Sequence, residues 1–124
     1  MKKIAENFFK GNKKVRIIRS ELTDIHFNLA TEEYIYEKSK LEFPTLFLWR
    51  NDKSVIIGRH QNQWKECFIQ RMEDEKIKLA RRKTGGGSVY HDLGNSCYSF
   101  FSPVYTQYSP LDAKAVNHFF IISL

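Results

Sequence analysis

"RRKTGGGSVYHDLGNS", residues 81–96, decides how this chain is read. Three consecutive glycines stand between a basic triplet and an aromatic–histidine–aspartate run. A linker fits least well, because linkers are polar and repetitive and this triplet separates two strand-like segments. A hairpin turn needs one or two glycines, so three with a basic approach exceed it. Consecutive glycines let a backbone come close to a ligand and turn several N–H groups into one hollow, which suits phosphate or carboxylate oxygens. Arg81 and Arg82 offer forked donors to an anion, and His91 and Asp92 stand at the far rim. No Lys-Ser or Lys-Thr follows at P-loop spacing, and the pattern is not GxGxxG. The residues favour a ligand loop over a structural turn.

Upstream, "IKLARR" (77–82) alternates apolar and basic side chains, a strand with one wet face. Downstream, "SVYH" (88–91) and "SCYSFF" (96–101) read as strands joined by a "DLGN" turn. Further out, "VRIIR" (15–19) is β-prone, and Thr23 and Asp24 are expected caps of a helix "IHFNLATEEYIYEKSK" (25–40). Phe27, Ala30, Tyr34 and Ile35 form its expected apolar stripe, with Glu32, Glu33 and Lys40 outside. "TLFLWR" (45–50) and "SVIIGR" (54–59), separated by "NDK", predict a β-hairpin. "WKECFIQRMEDEK" (64–76) predicts one helix with Trp64, Phe68, Ile69 and Met72 on its apolar side. Pro103 and Pro110 bound a loop, and Asp112 is an expected cap of a last helix, "AKAVNHFFIISL". This order implies an α+β fold, a mixed β-sheet with flanking helices.

The chain has 124 residues, 42% hydrophobic and 15% aromatic, which suits one globular domain. Its formal charge of +6 favours an anionic partner. Much of that excess lies in residues 1–14, read as a basic arm or a targeting segment. Those residues are compatible with a mitochondrial presequence, though poor in Ser and Arg. Cys67 and Cys97 lack CxxC spacing and read as reduced, buried thiols. The four histidines share no metal-ligand spacing, so no metal site is expected. No apolar run reaches the ~20 residues of a membrane span, and the aromatics look internal, which argues against a nucleic-acid binder.

"LARRKTGGGSVYHDLGN" resembles the signature of the lipoate–protein ligase family. The likeness extends through "FNLATEEYIYE", "LFLWRNDKSVIIGRHQNQWKEC" and "QRMEDEKIK", covering roughly Arg19 to Phe101, and the "GRHQN" wording is similar to mitochondrial members. The resemblance implies the N-terminal portion of a lipoate/biotin ligase-like catalytic domain over residues 15–124. It implies activation of lipoate with ATP, accompanied by Mg, to lipoyl-AMP. The lipoyl group then passes to a lysine on lipoyl domains of 2-oxoacid dehydrogenase E2 subunits or the glycine cleavage H protein, in mitochondria or cytoplasm. By position, Arg82 would meet the carboxylate or adenylate phosphate. Gly85, Gly86, Gly87, Ser88, Val89 and Tyr90 would line the nucleotide and acyl pocket. Thr84 and His91 would sit at the lipoyl end. Charge gathering on the α-phosphate is the kind that fixed N–H dipoles and a guanidinium stabilise.

Each has a plainer reading. Tyr90 fits a core aromatic, His91 a pin for the DLGN turn, Asp92 a partner for Arg82, and Cys97 the core. The sequence departs from the family in one respect: the downstream "K-x-SG-x-A"-type lysine motif does not occur, Lys114 does not match it, and Lys83 holds a variable position. The family lysine is expected beyond Leu124, so no catalytic residue is assigned. The chain is expected to be the N-terminal part of the ligase fold and inactive alone. The alternatives are an octanoyl or lipoyl transferase working without ATP, and a non-catalytic lipoate-binding fragment.

Overall fold

The computed structural model describes residues 14–39, residues 43–101 and the backbone of Phe119–Ser123. Residues 1–13 of the expected arm, the Pro103–Asp112 segment and Leu124 lie outside these residues. In chain order the elements are β1 (Arg16–Arg19), α1 (Ile25–Glu37), β2 (Thr45–Trp49), β3 (Ser54–Ile57), a helical turn α2 (Gln63–Glu66), α3 (Ile69–Asp74), β4 (Lys78–Arg81), β5 (Val89–His91), β6 (Asn95–Phe101) and β7 (Phe119–Ser123). They build two mixed sheets, ordered β1-β2-β6-β7 and β4-β3-β5. The fold is α+β, as the sequence implies.

The parallel pairs are β1 with β2 and β3 with β4; the other neighbours run antiparallel. Parallel neighbours need a crossover connection. α1 supplies the first and α2 with α3 the second. Asp24 starts α1 by accepting the Phe27 amide at 2.9 Å. Asp24 and Asp52 also share Lys78 Nζ, at 2.8 and 2.9 Å, which ties the start of α1 to the β2–β3 connection and to β4.

Period-2 alternation in β2 and β6 sends Phe47, Trp49, Cys97, Ser99 and Phe101 inward, where they meet Ile25 and Ile35 of α1, Ile56 of β3 and Ala80 of β4. A fully buried side chain such as Phe47 contributes about 1.5–3 kcal/mol.

Four sequence expectations are corrected. β2 and β3 are not a hairpin, because they belong to different sheets. The intervening Asn51 is fully buried rather than a solvent-facing turn residue, and its side chain bonds to Asn28 and His91. The buried face of α1 is Ile25, Asn28, Glu32 and Ile35, whereas Phe27 and Tyr34 are exposed. A stripe chosen by hydrophobicity shares only Ile35 with this face, because two of the face's members are polar and carry their own partners. Residues 64–76 are not one helix. Cys67 takes extended dihedrals and splits the run, leaving Met72 buried and Trp64 and Phe68 exposed. The final segment is strand over Phe119–Ser123, paired antiparallel with β6. An apolar run of that length fits either state by pattern, and the free edge of β6 decides it.

Candidate functional site

The glycine loop leaves β4 at Arg82 and rejoins the sheet at β5. It lies against the segment that follows β3. The Arg82 amide donates to the Ile57 carbonyl at 3.0 Å, and the Arg59 amide to the Thr84 carbonyl at 2.9 Å. Gly58 is the point of closest approach. A Cβ placed there would stand 2.2 Å from the Gly86 carbonyl oxygen. Only glycine lets the two backbones meet so closely.

The consecutive arginines brace two different loops. Arg81 Nη1 donates to the carbonyls of Gly58, Arg59 and Gln61, at 3.1, 3.2 and 2.7 Å. Arg82 Nη2 donates to the carbonyls of Gly85 and Gly87, both at 2.8 Å, and Nε reaches Gly85 at 3.2 Å. The guanidinium therefore curls the glycine loop around itself. Burial pushes the Arg82 pKa below its ordinary value. Gln61 Oε1 accepts from the Gly58 amide at 2.8 Å and from Ser88 Oγ at 3.2 Å, joining the two loops again. Lys83 Nζ sits between Glu33 and Glu37 of α1, at 2.6 and 2.8 Å. These two carboxylates pair with its charge at the loop's outer edge.

Within the loop, Gly86 has φ of +100°, a conformation that favours glycine, while a Cβ at Gly85 or Gly87 would meet nothing within 4 Å. This separates the turn reading from the ligand reading. Gly87→Ala is expected to leave thermal stability within about 0.5 kcal/mol of the parent, the usual range for an unconstrained surface change, while weakening a ligand that approaches the backbone there. Gly86→Ala should lower the melting temperature instead. A destabilised Gly87→Ala that kept its ligand affinity would return the loop to a structural role. For Arg82→Ala the expected loss is about 1.5 kcal/mol in ligand affinity, the low end for hydrogen bonds to a charged group, read by calorimetry with circular dichroism as the fold control. Unchanged affinity would remove Arg82 from the site.

At the other end of β5, His91 is 2% exposed and lies where the chain passes between sheets. Its Nδ1 stands 2.8 Å from Asn51 Nδ2 and 3.7 Å from Cys97 Sγ. Its Nε2 is buried with no partner among the described residues. The Trp49 ring packs beside it, centroids 6.1 Å apart. Trp49 Nε1 donates to Ser99 Oγ at 3.3 Å, and Ser99 Oγ donates to Glu32. Burial holds the Glu32 carboxyl up to about 7 and the Cys97 thiol up to about 12. It pushes His91 down, aided by the nearby Arg82 charge and opposed by Asp92. A cleft of about 690 Å³ adjoins this junction, with Trp49, Cys97, Arg19 and Arg50 in its walls.

The candidates thus divide. Arg82 and Gly85–Ser88 form one loop, with the Thr84 carbonyl fixed to Arg59, while His91 belongs to the junction beyond β5. Val89 is half-buried and packs on the core. Tyr90 is 47% exposed, so it is no core aromatic. The Asp92 carboxylate accepts the Gly94 amide at 2.8 Å within the DLGN turn. Cys67 is only half-buried. Asn28, Asn51, Gly58, Gln61 and Ser99 were not singled out by the sequence, and Glu32, expected on the outer face of its helix, is buried. Gly58 left a readable trace, since a glycine closing an apolar strand marks close backbone approach.

A family described as "Lipoyl protein ligase A/B catalytic domain" matches residues 24–120. The chain belongs to the lipoyl protein ligase A/B catalytic-domain family. It is 54% identical over 88 residues to the lipoate-protein ligase A of Blochmanniella pennsylvanica, covering 71% of this chain and 26% of the relative. With the Psychrobacter cryohalolentis ligase the identity is 52% over 90 residues, again 26% of the relative. The chain therefore spans about a quarter of the length of these curated ligases. Among solved structures, P. falciparum LipL1 in complex with lipoate superposes with a TM-score of 0.66 at 40% identity, covering 70% of this chain and 30% of that one. A lipoate-protein ligase A bound with ATP gives 0.63 at 38%, covering 70% and 35%. The bipartite ligase studied with its E2 lipoyl domain from Thermoplasma acidophilum gives 0.66 at 38%, covering 72% and 36%.

Proposed function

We propose that this chain supplies the lipoyl-binding part of an ATP-dependent lipoate–protein ligase, which forms lipoyl-AMP and passes the lipoyl group to a lysine of an E2 or H-protein lipoyl domain. The observation that carries this reading is the pairing of a braced glycine loop with a buried junction at His91 and Trp49, two ends of a site joined by β5. The loop exposes Gly85 and Gly87 with open space above them, suited to the carboxylate and phosphate of an acyl-adenylate. Arg82 holds the loop's shape and places positive charge beneath it. Trp49 and Cys97 suit the dithiolane ring and alkyl chain. ATP and its Mg are substrates in this scheme.

The transferase reading, which needs a nucleophile, gains nothing from Cys97. With the thiol held up to about 12, it stays protonated at neutral pH, and the thiolate is the nucleophilic form.

Calorimetry of the 124-residue chain with lipoate, and with a non-hydrolysable lipoyl-adenylate analogue, tests the proposal. Saturable binding of both is expected, the adenylate binding more tightly. Absence of binding by either ligand in a folded sample would sink the proposal.

A further inference from the structure

Four side chains run in series from the end of β1 to β5. Ser20 Oγ donates to Asn28 Oδ1 at 2.6 Å. Asn28 Nδ2 faces the Arg50 carbonyl at 2.9 Å, the Leu22 carbonyl at 3.1 Å and Asn51 Oδ1 at 2.9 Å. Asn51 Nδ2 faces His91 Nδ1 at 2.8 Å. Asn28, Asn51 and His91 are all at most 2% exposed, so the Asn28–Asn51 and Asn51–His91 bonds are shut off from water.

The direction of the series follows from its backbone anchor. A carbonyl oxygen only accepts, so the two carbonyls beside Asn28 demand its NH₂ group on that side. The atom of Asn51 facing that NH₂ must then be its oxygen, because two amide nitrogens would present hydrogens to each other. The Asn51 NH₂ is thereby turned to His91 Nδ1, which must offer a lone pair. The imidazole proton is left on Nε2. Cys97, whose thiol keeps its proton, stands 3.7 Å from the same Nδ1 and also calls for an acceptor there. A protonated His91 would set N–H against N–H, so the series opposes the imidazolium as well.

The result is a buried N–H donor at Nε2 with no partner among the described residues. Buried donors are almost always satisfied, and this one belongs to a residue beside Trp49 at the proposed site. We propose that Asn28 and Asn51 are positioning residues that lock His91 as the neutral Nε2–H tautomer, so that it donates a hydrogen bond to a sulfur of the bound dithiolane ring. The ligand half of this statement rests on the proposed function; the tautomer half does not. Trp49 and Cys97 beside His91 are apolar and polarizable, which suits a sulfur heterocycle, a weak acceptor, better than a carboxylate.

Long-range ¹H–¹⁵N correlation spectra of the imidazoles in the full ¹⁵N-labelled chain test it, with His91→Gln assigning the signals. Ligand-free protein should show His91 as the Nε2–H tautomer, neutral at pH values where an exposed histidine is already charged. In Asn51→Asp a carboxylate faces Nδ1, so the proton should move to Nδ1 or the ring should become charged. An Nδ1–H tautomer or an imidazolium in the parent, or an unchanged tautomer in a folded Asn51→Asp variant, overturns the relay. If that variant does not fold, the parent spectrum still decides. Lipoate should then move the Nε2–H signal and octanoate, which has no ring sulfur, should not. Equal shifts with both, or lipoate binding with no shift, overturn the donor role. No lipoate binding at all counts against the proposed function and the donor role, and leaves the tautomer assignment standing.

Discussion

Gly58→Ala is expected to lose ligand binding altogether and about 3 kcal/mol of stability, the upper part of the range for overpacked sites. The added Cβ would stand 2.2 Å from the Gly86 oxygen and 3.3 Å from the Gly85 carbonyl carbon. Both are backbone atoms, so no side-chain rotation relieves the clash. The glycine loop must move away from the 58–61 segment. That movement strains the Arg59–Thr84 bond and the Gln61 bridge between Gly58 and Ser88. The substitution carries no charge and removes no contact, so any effect is steric. Urea denaturation and lipoate calorimetry on the same samples would check it. A variant as stable as the parent with full affinity would show that the two loops do not meet.

Glu32→Gln should abolish a pH dependence of about the same size. Burial beside α1 and the sheet holds the Glu32 carboxyl up to about 7 against its ordinary 4.5. Below pH 4.5 it is protonated in both the folded and unfolded chain and costs nothing. Between 4.5 and 7 the unfolded chain ionises first, so folding stability falls as pH rises. The loss levels off above about 7, at about 3 kcal/mol. The substituted amide would keep an oxygen for Ser99 and never ionise, so the variant should match the parent near pH 4.5 and exceed it at pH 8. Denaturation curves at both values test this. Equal slopes in parent and variant would show that Glu32 does not titrate in that window.

The glycine loop, most strands and α1 were legible because each has a local signature: glycine runs, period-2 alternation, an Asp cap. The family followed from several motifs standing in order. What pattern could not give was pairing. "TLFLWR" and "SVIIGR" look like hairpin partners, and nothing local reveals that Asn51 carries the chain from one sheet to the other. The buried polar residues were invisible for a related reason. Asn28 and Glu32 look like solvent-facing residues until Ser20, Asn51 and Ser99 arrive from elsewhere in the chain. Arg82 shows the same limit at the site. Its charge was readable, but not that Gly85 and Gly87 carbonyls would occupy its donors. The last strand depends on the edge of β6, and composition alone fits helix equally well.

Both passages between the sheets carry the junction residues: Asn51 follows β2, and His91 precedes the turn into β6. The bonds that close this region join residues 40 apart for Asn51 and His91, 54 for Asp24 and Lys78, and 67 for Glu32 and Ser99. Loops of that length must be closed at an entropic cost before their contacts give anything back. No short segment can therefore preform the junction as an isolated turn. It assembles only when the two sheets dock, in the same cooperative event that completes the core. Exchange of the buried amides around His91 should accordingly follow global unfolding, whereas the glycine loop, exposed and held by Arg82, the Arg59–Thr84 bond and the Gln61 bridge, opens on its own.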